Sequence, residues 1–367
     1  MPNDYNADMD KIETKLLKID RSSFKETDID EAAGILRQGG LVAFPTETVY
    51  GLGANALDAT AAARIYAAKG RPSDNPLIVH IADVASLKEL AKNVPEEAYA
   101  LADAFWPGPL TIILNKKSCV PDGTTGGLKT VAIRFPADDI ALALIRRSGL
   151  CIAAPSANAS GRPSPTTAQH VYDDLNGRIE YILDGGPVNI GVESTIIDLS
   201  GEKPLILRPG FITREDLEKV IGCVEYDKAV ISKVPKAGIV AKAPGMKYRH
   251  YAPKGELVIV EGSRENVVSY INRRVAELNA EGFRTGVIAT DETAGLYKGA
   301  TVLSLGKRTE EKTLTRRLFA ILREFDNIEA DHMFTESFYD TVLSEAIMNR
   351  LRKAAGYKTV DADKEAL

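Results

Sequence analysis

Cysteine, histidine and long apolar runs are all scarce in this sequence, and each shortage excludes a class of protein. The three cysteines, Cys119, Cys151 and Cys223, are far apart and odd in number, so they form neither a disulfide framework nor a Cys-x-x-Cys metal site. None of the four histidines has a partner at His-x-x-x-His spacing, which argues against a zinc centre. We therefore expect a protein of a reducing compartment, with no metal held by its own side chains.

The distribution of apolar and charged residues excludes two further classes. No apolar run approaches the roughly 20 residues that a membrane-spanning helix needs, and the N-terminal MPNDYNADMD is acidic where a secretory signal would be basic and then apolar. Acidic residues outnumber basic ones by 51 to 46, for a net charge of -5, so bulk charge does not favour a protein that coats nucleic acid. We expect a cytoplasmic protein whose basic sites are local.

The length and the periodicity of the chain predict two α/β domains. At 367 residues the chain is long enough for about two domains of ordinary size. Short β-rich runs alternate with helix-period stretches as far as residue 221, and the alternation resumes at residue 256. We expect a first domain over 1–221 with its core at about 28–214, a linker over 222–255 that is long enough to act as a lid, and a smaller α/β domain over 256–367.

Apolar runs and cap residues predict the individual elements. The predicted strands are 41–44, 77–81, 110–114, 130–135, 151–154, 181–183, 194–199, 204–208, 256–261, 285–290 and 301–305. The predicted helices are 59–69, 84–92, 95–105, 138–148, 166–175, 213–221, 263–280, 310–325 and 341–355, and Thr213 is the predicted N-cap of the helix at 213–221.

The common catalytic and nucleotide-binding motifs are absent or incomplete. Neither Gly-x-x-x-x-Gly-Lys-Ser/Thr nor Gly-x-Ser-x-Gly occurs, and Ser22-x-x-Lys25 lacks the companion motifs of the serine acyl-enzymes. Residues 51–56, GLGANA, match a dinucleotide fingerprint, but TETVY separates them from strand 41–44 and no clean βαβ unit follows. No covalent nucleophile is therefore identified.

Polar loops rich in glycine and proline follow several predicted strands, at the edge where open α/β sheets bind ligands. Residues 45–51 offer two hydroxyls and a carboxylate, and 69–76 present Lys69 and Arg71, which suit a phosphate chain. Residues 153–164 hold serines and an amide of the kind that forms an anion nest. Each loop also has a structural interpretation, such as a helix cap or a solvated turn.

Two further segments carry charge in unusual surroundings. Arg134 lies within an apolar strand, where a charge needs a partner; either a ligand carboxylate or another side chain could supply it. Residues 243–253, APGMKYRHYAP, are aromatic and basic with no acid, so they could stack on a base and cover phosphates, or form a surface patch.

Eight segments, taken in chain order, match the motifs of one protein family. They are GLVAFPTETVYGLGANA at 40–56, KGRPSDNPLIVH at 69–80, FWPGPLTIIL at 105–114, VAIRFP at 131–136, APSANASGRPSPT at 154–166, GVESTIIDL at 191–199, LRPG at 207–210 and PGMKYRHYAP at 244–253. The chain resembles the YrdC-like L-threonylcarbamoyladenylate synthases in their longer form. That resemblance implies a YrdC-like twisted, open mixed sheet with a concave cavity, followed by a smaller Rossmann-like α/β domain.

The resemblance also implies a reaction, that of a nucleotidyltransferase. L-threonine, bicarbonate or CO2, and ATP would be condensed into threonylcarbamoyl-AMP with release of pyrophosphate. The threonine carbamate would attack the α-phosphorus, so the substrate itself supplies the nucleophile. Mg2+ would come with ATP, and no organic cofactor is implied. A separate threonylcarbamoyl transferase complex would receive the product and modify tRNA, so contact with tRNA would be indirect or transient, and no membrane partner is implied.

Site residues follow from the same resemblance, motif by motif. L-threonine would contact Thr48, His80, Arg134, Ala154 and Ser194. ATP would contact Arg71, Asn75, Thr130, Ser156, Ser164, Arg208 and Tyr251. Lys69 and Arg71 would be catalytic through their charge on the phosphates, and Glu47 is one candidate for a general base.

Two other functions compete with this interpretation. An RNA-binding or ribosome-assembly protein could grip a backbone with the same basic cavity, and it would show salt-dependent affinity for tRNA without ATP. A carbamoyltransferase that uses carbamoyl phosphate could contain a related domain, but this chain lacks the acylphosphatase and zinc-finger modules that accompany such domains. Pyrophosphate release that depends on threonine favours the synthase over both.

Overall fold

The computed structural model describes residues 12–231, 241–244, 250–339 and 342–365. The strands are β1 (Lys15–Lys18), β2 (Val42–Phe44), β3 (Gly51–Asn55), β4 (Ile78–His80), β5 (Leu110–Asn115), β6 (Thr130–Arg134), β7 (Ile152–Ala153), β8 (Tyr181–Asp184), β9 (Thr195–Asp198), β10 (Leu205–Arg208), β11 (Glu225–Tyr226), β12 (Glu256–Glu261), β13 (Thr285–Ala289), β14 (Thr301–Ser304), β15 (His332–Glu336) and β16 (Thr359–Asp361). The helices are α1 (Asp30–Arg37), α2 (Ala59–Lys69), α3 (Ser86–Leu90), α4 (Glu96–Phe105), α5 (Asp122–Thr125), α6 (Asp139–Ser148), α7 (Ala168–Leu175), α8 (Arg214–Ile221), α9 (Lys228–Ile231), α10 (Arg264–Ala280), α11 (Glu311–Asn327), α12 (Ser344–Ala354) and α13 (Ala362–Glu365), with short 3-10 helices at Glu26–Ile29 and Ala294–Leu296.

The strands form two sheets. The first has eleven strands in the order β1-β8-β2-β3-β7-β4-β6-β5-β9-β10-β11, and the second has five in the order β14-β13-β15-β12-β16. The first sheet mixes antiparallel pairs, such as β2 with β3 and β5 with β6, with parallel pairs, such as β4 with β6. Every pair in the second sheet is parallel. The predicted fold class, a mixed α/β sheet followed by a smaller α/β domain, is confirmed.

Strand register brings the polar side chains of the first sheet together. Arg134 on β6 is paired with His80 on one side and with Thr111 of β5 on the other. Because directly paired residues point to the same face of a sheet, these three side chains stand in one row. Ser194, just before β9, continues the row, since its hydroxyl lies 2.7 Å from the Thr111 hydroxyl.

Local capping fixes the helix that leads into the site. The Asp58 carboxylate accepts hydrogen bonds from the first free backbone N–H groups of α2. The helix ends at Gly70, whose φ of 61° lies in the left-handed region. The chain reverses there, so Lys69 and Arg71 lie on either side of a fixed turn.

Several elements differ from the sequence prediction. Residues Gly51–Asn55 form strand β3, antiparallel to β2, so GLGANA is not a phosphate-binding loop. Gly53 allows close packing of this strand, since a Cβ at that position would stand 2.8 Å from Ile152 Cγ2. The other elements without a predicted counterpart are strands β1, β11, β15 and β16 and helices α1, α5, α9 and α13.

The expected linker contains regular structure at its start. Strand β11 and helix α9 lie within 222–255, and β11 pairs with β10. Residues 232–240 and 245–249 of the linker lie outside the described residues. The domain boundaries at 221 and 256 remain a prediction. Across the part of the chain that the structure describes, no helix combines the length and apolar character needed to cross a bilayer.

Candidate functional site

A small cavity of about 40 Å³ lies where the strand-end loops of the first sheet meet the segment that precedes the second sheet. Its walls come from seven separate parts of the chain. The lining residues are Thr46, Val49, Gly51, Arg71, Ile78, His80, Arg134, Ala154, Pro155, Ser156, Glu193, Ser194, Arg208, Pro244, His250 and Tyr251.

Four of the five residues predicted to bind threonine line this cavity: His80, Arg134, Ala154 and Ser194. The fifth, Thr48, is fully buried just behind the wall, with its hydroxyl 2.8 Å from that of Thr46. The structure therefore brings these five residues together, and their contact with threonine remains a prediction.

Arg134 has a protein partner in this structure. Its Nη2 lies 2.7 Å from Glu47 Oε2, and both side chains are buried. The two atoms are close but poorly aligned for a hydrogen bond. Of the two partners that the sequence left open for Arg134, the structure shows the side chain, and Glu47 stands where an incoming carboxylate would compete with it.

His80 presents a neutral imidazole to the cavity. Burial, with Arg134 nearby, lowers the pKa of His80 to about 3. Its Nδ1 lies 3.2 Å from the Ile78 carbonyl oxygen, which can only accept, so Nδ1 carries the proton. Nε2 is then left as a hydrogen-bond acceptor.

Of the residues predicted to bind ATP, Arg71, Ser156, Arg208 and Tyr251 line the cavity. The described hydrogen bonds of Arg71 all go to carbonyl oxygens, those of Asn75 and Pro76. Burial lowers the pKa of Arg71 and of Arg208 to about 10, so both remain cationic at neutral pH. The guanidinium groups of Arg71 and Arg208 therefore place two buried positive charges in the wall of the same small cavity.

The other predicted ATP ligands lie outside the lining. Asn75 is buried, and its Oδ1 has no hydrogen-bond partner among the described residues. Ser164 donates to Glu193 Oε1 at 2.5 Å. Thr130 begins β6, about 13 Å along the strand from Arg134. Contacts of these three with ATP remain predictions.

Lys69 supports a loop and does not line the cavity. Its Nζ donates to the backbone oxygen of Ser156 at 2.5 Å and to that of Asn158. Burial lowers the pKa of Lys69 well below its usual value. In this structure Lys69 holds the loop 154–164 in place, and the predicted contact with phosphates is untested.

Sequence reasoning missed three functional candidates. Thr111 is fully buried and bonded to Ser194, but a threonine in an apolar strand carries no signal of its own. Glu193 was part of a noted motif, and only its partners show its importance. Burial, with Arg71 nearby, lowers the pKa of His250 to about 3, so its neutral ring lies in the wall beside Tyr251.

The carboxylates at the cavity are already engaged by arginines. Glu47 lies against Arg134, and Glu193 lies against Arg350 with Nε 3.1 Å from Oε2. Among the described residues, no cluster of three or more histidine, cysteine, aspartate or glutamate side chains could hold a metal ion. The cavity is therefore suited to binding anions.

Comparison with known proteins identifies the family. Residues 34–210 match the family model described as "Telomere recombination", and residues 212–356 match the one described as "Threonylcarbamoyl-AMP synthase, C-terminal domain". Threonylcarbamoyl-AMP synthase of Pyrococcus abyssi is 52% identical over 340 residues, which are 93% of this chain and 97% of that protein. The Bacillus subtilis protein of the same name is 51% identical over 345 residues, which are 93% of this chain and 96% of that protein.

A solved structure extends the similarity to the fold. The crystal structure of P. abyssi Sua5 complexed with L-threonine matches this structure with a TM-score of 0.88 at 50% identity, covering 95% of this chain and 99% of that one. The resemblance found in the sequence motifs is thus confirmed over nearly the whole chain. The chain belongs to the threonylcarbamoyl-AMP synthase family.

Proposed function

We propose that this chain is a threonylcarbamoyl-AMP synthase, which condenses L-threonine, bicarbonate or CO2, and ATP into threonylcarbamoyl-AMP and pyrophosphate. The supporting observation is the group of three buried arginines, Arg71, Arg134 and Arg208, that line one cavity. A buried cation is costly unless an anion pairs with it. The threonine carboxylate and the triphosphate of ATP are anions of the required kind.

Threonine occupies the end of the cavity at Arg134. Its carboxylate takes the place of Glu47 on Arg134, an exchange favoured by the poor alignment of that ion pair. Glu47, once displaced, is the candidate acceptor for the proton that the threonine ammonium must lose before it attacks CO2. Nε2 of the neutral His80 accepts a hydrogen bond from the amino acid, and Thr48, Ala154 and Ser194 complete this end.

ATP occupies the other end. Arg71 and Arg208 neutralise charge on the phosphates, while Ser156 and Tyr251 contact the nucleotide. Asn75, Thr130 and Ser164 are the remaining proposed contacts. The carbamate oxygen attacks the α-phosphorus and pyrophosphate leaves, so the protein needs no nucleophile. Its contribution is to hold the reactants in line and to stabilise developing charge with preorganised donors.

We expect Mg2+ to arrive with ATP and to be held by phosphate oxygens, because Glu47 and Glu193 are both engaged by arginines. Bound in that way, the ion would supply further neutralisation of phosphate charge. The product then passes to a separate transferase complex that modifies tRNA in the cytoplasm.

We propose that the segment 241–254 acts as a lid of this site, on the basis of its described residues 241–244 and 250–254. A cavity of about 40 Å³ is far smaller than the roughly 300 Å³ at which small-molecule pockets begin. Since Pro244, His250 and Tyr251 form one of its walls, ATP enters when this segment moves away. Its return excludes water from the labile carbamate and from the mixed anhydride.

Hydrogen exchange tests the lid. Peptides that span 241–254 should exchange more slowly once ATP and threonine are both bound, whereas peptides from α10 serve as the control. Equal exchange in 241–254 with and without substrates would contradict the lid.

One incubation tests the function itself. The purified chain, given ATP, bicarbonate and isotopically labelled threonine, should form an adenylate whose mass carries the label, together with one pyrophosphate per adenylate. Omission of threonine should abolish pyrophosphate release, which separates a synthase from a simple ATPase. Salt-dependent tRNA binding without any adenylate would favour the RNA-binding alternative instead.

A further inference from the structure

Helices α11 and α12 of the second α/β unit pack directly against the loops of the cavity. The apolar core built on these helices, with Phe319 of α11 and Leu351 of α12, also contains Val49, Val192 and Tyr251. Val49 and Tyr251 line the cavity themselves. The second unit is thus continuous with the wall of the site.

Backbone contact at Gly191 shows how close this packing is. A Cβ at Gly191 would stand 2.3 Å from Arg316 Cα and 2.6 Å from the Thr315 carbonyl oxygen of α11. No side chain fits in that space. The loop that leads to Glu193 and Ser194 therefore lies flat on α11.

Arg350 of α12 reaches from the second unit into this loop. It is completely buried, and its Nε donates to Glu193 Oε2 at 3.1 Å and its Nη2 to the Glu193 carbonyl oxygen at 3.2 Å. Its Nη1 donates to the carbonyl oxygen of Pro209. One guanidinium therefore joins the residue before Ser194 to the residue after Arg208.

Glu193 connects Arg350 to residues of the proposed ATP site. Its other oxygen, Oε1, accepts the 2.5 Å hydrogen bond from Ser164. Burial alone would raise the pKa of Glu193, but Arg350 and Arg208 lower it to about 2, so it is a carboxylate at all working pH values. Arg208 in turn donates to the Ser194 carbonyl oxygen at 3.0 Å and to its hydroxyl at 3.1 Å.

A second buried arginine holds the opposite loop. Arg323 of α11 binds Asp174 with two hydrogen bonds of 2.8 and 3.2 Å and donates to the Pro163 carbonyl oxygen at 2.6 Å. Asp174 also accepts from the backbone N–H of Ala159. Arg323 thus fixes the loop 154–164, which carries Ser156 and Ser164.

We infer that the C-terminal unit completes the synthase site, with Arg350 as a positioning residue that holds Glu193, and through it Ser164, Ser194 and Arg208, in the geometry that binds ATP. Arg323 does the same for the loop 154–164. This inference rests on the proposed synthase function and adds a role for the second unit. Arg350 does not line the cavity, so it acts through its partners.

The test compares Arg350→Gln with Arg352→Gln in the full-length chain. Arg352 lies two residues away on α12 and donates to the Tyr339 hydroxyl, away from the cavity. Calorimetric titration with a non-hydrolysable ATP analogue should show that Arg350→Gln raises the Kd by about tenfold or more, while Arg352→Gln stays within about twofold of the parent chain. Arg350→Lys, which keeps the charge but loses the planar fork, should recover part of the affinity.

A double-mutant comparison of Arg350 and Glu193 distinguishes a positioning role from a general loss of stability. If Arg350 acts through Glu193, the double variant Arg350→Gln/Glu193→Gln should bind the analogue no more weakly than Arg350→Gln alone. The inference is overturned if Arg350→Gln is folded, as judged by its thermal unfolding, and binds the analogue as tightly as the parent chain. Absence of adenylate from the parent chain would instead refute the proposed function, and the analogue titration would still decide the role of Arg350.

A pair of glycine variants decides the question if Arg350→Gln does not fold. Gly191 and Gly186 have similar φ values, 85° and 80°, but a Cβ at Gly186 would meet no atom within 4 Å. Gly191→Ala pushes the loop off α11, whereas Gly186→Ala introduces the same backbone strain in open space. We expect the Kd for the analogue to rise about tenfold in Gly191→Ala and to stay unchanged in Gly186→Ala. Equal affinity of the two variants would overturn the inference.

Discussion

At the scale of single residues, Arg71 is the most direct test of the nucleotide end of the site. It is buried at the cavity wall, and its described hydrogen bonds go to carbonyl oxygens alone. A hydrogen bond to a charged group contributes about 1.5–3 kcal/mol. We therefore expect Arg71→Ala to raise the KM for ATP by about 10- to 100-fold and to change the KM for threonine little. Steady-state pyrophosphate release measures both.

The control is Arg273→Ala, at an exposed position on α10, which should leave both KM values unchanged. An unchanged KM for ATP in Arg71→Ala would contradict the assignment of Arg71 to the nucleotide end of the site.

Buried histidines make the stability of the protein depend on pH. Burial lowers the pKa of His80 and His250 to about 3 and that of His170 to about 4. Below the ordinary histidine pKa the unfolded chain binds protons that the folded chain does not. The free energy of unfolding should therefore fall as the pH drops from about 6.5 towards 4, by up to about 1.4 kcal/mol per pH unit for each histidine. Urea unfolding at pH 8, 6.5 and 5 measures this slope, and His170→Asn should reduce it. Equal stability at pH 8 and pH 5 would show that these histidines are not buried as described.

At the scale of elements, helix α8 offers a clean test of local capping. The Thr213 hydroxyl accepts from the Asp216 N–H, and the Asp216 carboxylate accepts from the Thr213 N–H, which is a capping box. Thr213→Ala should lower the free energy of unfolding by about 1 kcal/mol, since the helix loses its side-chain cap. Thr213→Ser should keep most of that stability. Urea unfolding compares the three chains, and equal midpoints for alanine and threonine would exclude a stabilising cap.

Elements with local signals were predictable, whereas those defined by distant partners were not. Helix α2 matches its prediction because Asp58 and Gly70 mark its ends in the sequence itself. Strand β15, HMFTE, was missed because it lacks a clear alternating pattern, and its state is set by pairing with β12 and β13 on either side. Burial of Arg134 was foreseen, but the sequence could not tell a ligand from Glu47 as its partner. Nothing in the sequence indicates the role of Arg350, since its partner Glu193 lies 157 positions away.

At the scale of the whole molecule, the two α/β units depend on each other. A chain that ends at residue 221 loses Arg323 and Arg350 and leaves Asp174 and Glu193 without these cations. Val49 and Val192, which pack in the same apolar core as α11 and α12, also lose their cover, so we expect the shortened chain to unfold at a markedly lower temperature. Circular dichroism on heating measures this change. Loss of activity on truncation therefore does not by itself demonstrate a lid. An unchanged unfolding temperature would show that the two units are independent.

The second sheet leads to a contrasting prediction, because carboxylates already engage hydrogen-bond donors at its usual ligand position. A crevice of about 450 Å³ lies at the carboxyl ends of its parallel strands, where α/β sheets commonly bind nucleotides. The Asp363 carboxylate accepts hydrogen bonds from the backbone N–H and the hydroxyl of Ser263 at the N-terminus of α10. Glu336 accepts from the Thr290 N–H at 3.0 Å and the Thr293 hydroxyl at 2.5 Å.

These two carboxylates use donors that phosphates would need, and the cation Arg308 in the crevice is already paired with Glu336 at 3.0 Å. We therefore expect one ATP per chain. Equilibrium dialysis with a labelled, non-hydrolysable ATP analogue measures the stoichiometry, and Arg71→Ala should weaken this one site without revealing another. Two equivalents bound, or binding of undiminished affinity in Arg71→Ala, would mean that the second unit binds nucleotide in spite of its own carboxylates, and its role would then extend beyond support of the first site.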